Sequence, residues 1–139
     1  MSKPRHNAWQ HYSVSRSPVS SFSLKKRIAS FSYALSGIAH LIRHEHNAWI
    51  HLMATLVTLS AGLYFELERV DWALVIMAIS LVWLGEGLNT AVELLANAIT
   101  TEPHPLIGHA KDVAAGAVLL SALGAAAIGL LVFLPKVLA

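Results

Sequence analysis

Three long apolar runs, residues 48–65, 72–99 and 113–134, follow one another with only short polar segments between them. Each is about long enough to cross a hydrocarbon core of ~30 Å, which takes ~20 helical residues. They predict membrane-spanning helices over about 48–66, 72–99 and 111–134, and so an all-α membrane protein. Composition agrees: 55% of residues are hydrophobic and 13% charged, where a soluble domain carries about 25% charge. A length of 139 residues leaves room for one domain, placed over 23–139. The segment before it, 1–22, is polar and Ser-rich with no apolar run, which reads as a disordered tail and not as a secretory signal. The chain has no cysteine, which excludes disulfides and thiolate metal sites.

A fourth helix is predicted over 23–44. Leu24, Ile28, Phe31, Leu35, Ile38 and Ile42 recur at spacings of four and three, one stripe of an α-helix. Lys25, Lys26 and Arg27 open it and Arg43 closes it. A basic amphipathic helix of this kind lies in the membrane interface with its cations near anionic head groups; packing against the protein's own core is the competing reading. Seven of the ten Lys and Arg residues fall at or before Arg43, so the positive-inside rule puts the N-terminus in the cytoplasm. The loop at 66–71 then lies outside and the loop at 100–112, broken by Pro103 and Pro105, returns to the cytoplasm.

Within the second run, "EGLNTAVE" (86–93) carries Glu86, Asn89 and Glu93. Spacings of three and four place them within about 60° of one another on a helix. Ionised carboxylates in a bilayer are costly and face a bundle interior, a polar cavity or the interface. By the topology above, Glu45, at the end of the surface helix, and Lys111 and Asp112, at the start of the third span, are driven to the same membrane face. Carboxylates gathered beside a lysine suit Mg²⁺ and phosphate: hard oxygens for the metal and an ammonium for phosphate oxygens. His44, His46 and His51 are spaced by two and five, poor spacing for one metal-binding helix face, and read as interfacial histidines.

At these residues the sequence resembles the small bacterial integral-membrane lipid kinases, the diacylglycerol kinase and undecaprenol kinase family. The motifs that carry the resemblance are "FSYALSGI" (31–38), "EHNAWIH" (45–51), "EGLNTAVE" (86–93) and "HAKD" (109–112), and it covers about residues 23–134. It implies a homotrimer of chains with three spans and a surface helix each, in the bacterial cytoplasmic membrane. ATP and Mg²⁺ would meet a membrane lipid alcohol at the cytoplasmic interface, and no nucleic acid is implied as a partner. Position by position, the resemblance makes Glu86 the catalytic base and Glu45 and Glu93 the metal-binding acids. Asn89 becomes an active-site amide, Tyr33 a nucleotide contact, and Lys111 and Asp112 a pair near the ATP phosphates. Lys26 stands where the diacylglycerol kinases have an arginine, and Glu102 and His104 belong to the loop at the nucleotide.

Asn97, Trp49 and Ala115 depart from the family pattern, where Asp, Arg and Ser are found, and leave the choice between diacylglycerol and undecaprenol open. Asn47 and His51 lean towards the undecaprenol type. Ala117, Ser121 and Ala125, spaced by four, offer a small-residue face on which membrane helices approach closely. A small proton-coupled transporter using an intramembrane Glu is the competing function. It accounts for Glu86 alone, leaves Glu45, Lys111 and Asp112 without a role, and has fewer spans than transporters carry. A non-catalytic assembly subunit would leave the acids unexplained.

Overall fold

The computed structural model describes residues 23–138, and the tail expected over 1–22 lies outside the described residues. The described chain is four helices in sequence: α1 (Leu24–His44), α2 (His46–Tyr64), α3 (Arg69–Ile99) and α4 (Pro105–Leu138). A helix satisfies its own backbone hydrogen bonds, which is what apolar surroundings without water require. Two helices, α3 and α4, are long and apolar enough to cross a membrane. At 31 and 34 residues and ~1.5 Å per residue, each exceeds the ~30 Å of a hydrocarbon core. The shorter α2 has 19 residues and opens with His46, Asn47 and His51, which dilute its apolar character at that end.

The helix boundaries shorten both expected loops, and α3 begins at Arg69, inside the loop expected over 66–71. The loop expected over 100–112 is shorter too, because α4 begins at Pro105 and carries Lys111 and Asp112 in its second turn. Pro105 starts the helix: at the first helical position its missing N–H has no intrahelical partner to lose and its fixed φ suits the helix. The break is therefore only residues 100–104.

Packing is uneven along the bundle. The α3–α4 pair is the most extensive interface, α2 lies against α3, and α1 touches α2 and α3. A small apolar core of Leu67, Val75 and Val132, with Phe65, Trp72, Ile79, Ile128 and Phe133 around it, closes the end where α2 turns into α3. Further along, α3 and α4 come close enough that a Cβ on Gly85 would touch Ser121 and the Val118 backbone. Part of the small-residue face on α4 thus serves contact within the chain. On α1, by contrast, the apolar stripe from Leu24 through Ile38 stays exposed and only Leu41 is buried. The stripe does not pack on the protein's own core, so the interfacial arrangement is the one its position favours.

The α2–α3 turn is closed by a Schellman motif. Leu67 N donates to Gly62 O at 3.1 Å and Glu66 N to Leu63 O at 3.3 Å, the paired bonds that satisfy the last carbonyls of a helix. The residue this motif places in the left-handed region is ordinarily glycine, but here it is Glu66, with φ 49°. Gly62 is required for packing instead: a Cβ there would lie 2.7 Å from the Trp72 ring. Since a side chain in the left-handed region costs about 1 kcal/mol or more, Glu66→Gly is expected to raise the thermal unfolding midpoint of the detergent-solubilised protein. A lowered midpoint would show that the Glu66 side chain offsets its own backbone strain.

Candidate active site

One face of α3 carries the polar residues into the bundle. Glu86, Asn89 and Thr90 are the buried polar side chains of the described residues, and Glu86 is only 1% exposed. One turn on, Asn89 Nδ2 donates a hydrogen bond of 3.1 Å to Glu93 Oε1. The amide thereby orients one carboxylate oxygen of the half-buried Glu93. Three buried oxygens, Glu86 Oε2, Asn89 Oδ1 and Thr90 Oγ1, have no hydrogen-bond partner. A helical Thr hydroxyl commonly bonds back to the carbonyl four residues earlier, and Thr90 does not. Buried polar groups left open in this way are costly, so the cluster is built to receive something polar.

Glu86 and Asn89 face a cleft of about 270 Å³ between three helices, while Thr90 lines a separate groove against α1. From α2 come Asn47, Ile50 and His51, and from α4 only apolar groups, Ala115, Val118, Leu119 and Ala122. His51 Nε2 lies 3.7 Å from Glu86 Oε2. The His51 ring also stands edge-on to Trp83, centroids 6.4 Å apart, and Trp83 Nε1 donates to Thr55 Oγ1 of α2 at 3.1 Å. A cross-helix hydrogen bond thus fixes the indole against which the imidazole rests. The histidines read together in the sequence are separated here: His44 and His46 are exposed, His44 stacking on His40 with centroids 4.5 Å apart, while His51 is drawn to the buried acid.

The remaining expected site residues fall into three groups. Glu45, the single residue between α1 and α2, is half-buried, and its charge and that of Glu93 both act on Glu86. Beyond the C-terminal end of α3, a second groove of about 510 Å³ is lined by Asn97, Glu102, His104 and Lys111 among others. In it Lys111 Nζ donates to Asn97 Oδ1 at 3.1 Å, so the residue that departs from the family pattern holds the lysine. Asp112 is exposed beside it. Lys26 and Tyr33 are exposed on α1 and line neither cleft. Two features escaped the sequence reading. Thr90, four residues after Glu86 on α3, is buried as well; and His51, read there as interfacial and as a pointer to lipid type, meets Glu86 from another helix, which spacing along the chain does not show.

Among the described residues, no three His, Asp or Glu side chains converge on one point. That does not disfavour Mg²⁺, which is commonly held by one or two carboxylates with substrate phosphates and water completing its shell. Glu93, with one oxygen fixed by Asn89, and the half-buried Glu45 are carboxylates of the type such a site uses.

The family model for prokaryotic diacylglycerol kinase matches residues 32–133, a stretch that holds every expected site residue but Lys26. The undecaprenol kinase of Bacillus subtilis is 40% identical over 113 residues, 81% of this chain and 92% of that protein. The diacylglycerol kinase of Synechocystis sp. is 32% identical over 135 residues, 96% of this chain and 70% of that protein. The diacylglycerol kinase of Escherichia coli K12 is 32% identical over 69 residues, half of this chain and 57% of that protein. With most of its length matched and its buried acid, amide and second acid inside the matched region, the chain belongs to the prokaryotic diacylglycerol kinase family.

Proposed function

We propose that the protein is an ATP- and Mg²⁺-dependent lipid kinase that transfers the γ-phosphate to the hydroxyl of a membrane lipid alcohol at the cytoplasmic face of the membrane. The observation that carries this reading is Glu86, a carboxylate 1% exposed with an unpartnered oxygen, on the same face of α3 as the hydrogen-bonded Asn89–Glu93 pair. Phosphoryl transfer asks a protein mainly for positioning and charge stabilisation. Glu86 accepts the proton of the attacking hydroxyl, and its depth in α3 suits a lipid head group. Glu45 and Glu93 would hold Mg²⁺, which when bound neutralises phosphate oxygens. Lys111 and Asp112 serve the phosphates of ATP, with Lys111 in the same groove as Glu102 and His104. Asn89 orients Glu93, and Tyr33 and Lys26 contact the nucleotide from α1.

In this reading α2 is the third span, and the chain works as a homotrimer in the bacterial cytoplasmic membrane with its N-terminus in the cytoplasm. The excess of basic residues before α2 supports that orientation, and the exposed leucines of α4, Leu131 among them, support cover by lipid and by neighbouring copies. Tyr33, 76% exposed, is then available to a nucleotide bound with a neighbouring copy. A proton-coupled transporter is not favoured, because family membership and the Lys111 groove have no place in it.

The reading is tested by Mg²⁺-dependent phosphate transfer from ATP by purified protein in mixed micelles, with undecaprenol and diacylglycerol compared side by side. The closer similarity to an undecaprenol kinase supports the polyprenol as at least an equal substrate; a strict diacylglycerol preference would overturn that choice. Transfer to neither would overturn the kinase. Glu86→Gln keeps the size of the side chain but cannot take the proton, so turnover is expected to fall by the roughly 10²–10⁴-fold that general-base catalysis supplies. Nucleotide binding should survive it, and folding should hold or improve, since a carboxylate at that depth is expensive. A matching loss of ATP affinity would make Glu86 a metal ligand instead. Glu45→Gln and Glu93→Gln each remove one anionic oxygen ligand, and should weaken Mg-ATP binding and raise the Mg²⁺ concentration needed for half-maximal rate. Normal turnover at low Mg²⁺ in either variant would remove that residue from the metal site.

A further inference from the structure

We propose that His51 is the relay through which Glu86 returns its proton to water after each turnover, an assignment that rests on Glu86 being the base. Attack of the lipid hydroxyl oxygen on the γ-phosphorus forms one P–O bond, breaks the bond to the ADP oxygen and leaves the hydroxyl proton on Glu86. Until that proton leaves, the carboxyl cannot act again. Glu86 is 1% exposed and makes no hydrogen bond through Oε2, so its contact with bulk water is slight. The ring nitrogen of His51 is 3.7 Å from that oxygen, and the His51 side chain is 15% exposed. It lines the cleft beside the buried acid and is itself partly exposed.

The chemistry balances. Neutral His51 accepts the proton at Nε2, the resulting imidazolium passes one proton to water, and each turnover releases one proton in all. Imidazole is a common proton shuttle in proteins. The 3.7 Å separation is longer than a hydrogen bond, but gaps of this kind close in the working complex or are bridged by one water, and the cleft of about 270 Å³ has room for one. The surroundings favour this role. Trp83, held by Thr55, braces the ring from one side. The α4 wall of the cleft offers no competing proton acceptor, being Ala115, Val118, Leu119 and Ala122. Glu86 is the acid facing His51; Glu45 and Glu93 act on Glu86 itself. His51 therefore acts through Glu86 and not on the substrate.

The test compares wild-type, His51→Ala, His51→Gln and Glu86→Gln full-length protein in mixed micelles with ATP, Mg²⁺ and undecaprenol or diacylglycerol, with and without added imidazole. His51→Ala is expected to lower kcat by about 10²-fold, the low end of what a positioned proton transfer contributes, with KM for ATP little changed. Imidazole, diffusing into the space left by the ring, should restore part of that rate, and should not rescue Glu86→Gln. His51→Gln can hydrogen-bond to Glu86 but cannot carry a proton, and should stay slow. A wild-type rate in His51→Ala overturns the relay. So does recovery in His51→Gln, which would make the histidine a hydrogen-bonding prop. Loss of the folded protein in both His51 variants would assign the ring to packing and also overturn it. If wild-type protein transfers phosphate to neither lipid, the kinase reading fails and the relay with it. A working wild type with an unaffected His51→Ala variant condemns the relay alone.

Discussion

The rest of the structure is arranged around the cost of keeping a carboxylate inside a membrane helix. Glu86 lies in α3, a helix apolar enough to cross a bilayer, and is almost fully withdrawn from the surface. An acid facing lipid would be several kcal/mol worse than one facing a polar cleft, so the rotation of α3 about its axis has little freedom. The face with Glu86, Asn89 and Glu93 must look inward. Once it does, the opposite faces of α3 are left to apolar residues such as Leu84 and Leu88, which are exposed.

That constraint explains the small side chains nearby. Polar groups need space for their ligands, and α4 supplies a low, apolar wall of Ala115, Val118 and Ala122 opposite the acid. The two helices nevertheless approach closely at Gly85 and Ser121, where small residues allow backbones near one another. The bundle is held shut at the other end, where Trp72 fills the space over Gly62 and Phe65 stands 6.2 Å from Phe133. One end of the molecule is thus packed with aromatics and aliphatics, and the other carries open polar atoms. A lipid kinase needs that asymmetry, because tight packing at the reactive end would exclude its substrates.

The surface helix follows a different logic. The break at Glu45 takes a single extended residue, φ −98° and ψ 119°, which turns the chain from α1 into α2 and puts the acid at the corner. Only the end of α1 nearest that corner is buried, through Leu41. The remaining stripe is left for the interface, where cations at its start and apolar side chains along its length find the surroundings each prefers.

Much of this could be read from the order of residues, because helix formation and facial periodicity are local. The surface helix appears with its predicted start and end to within a residue, and Glu86, Asn89 and Glu93 share a face because spacings of three and four allow nothing else on a helix. The break between α3 and α4 was marked by its prolines, although Pro105 opens α4 instead of ending the loop, a choice set by where the helix finds its first turn. What only the tertiary structure decided is which residues meet across helices. His51 beside Glu86 and Lys111 on Asn97 depend on the axial register and rotation of neighbouring helices, and spacing along one chain carries no information about either. The same holds for Thr90: its place on the polar stripe was written in the sequence, but its unpartnered hydroxyl exists only because of what packs, and does not pack, around it.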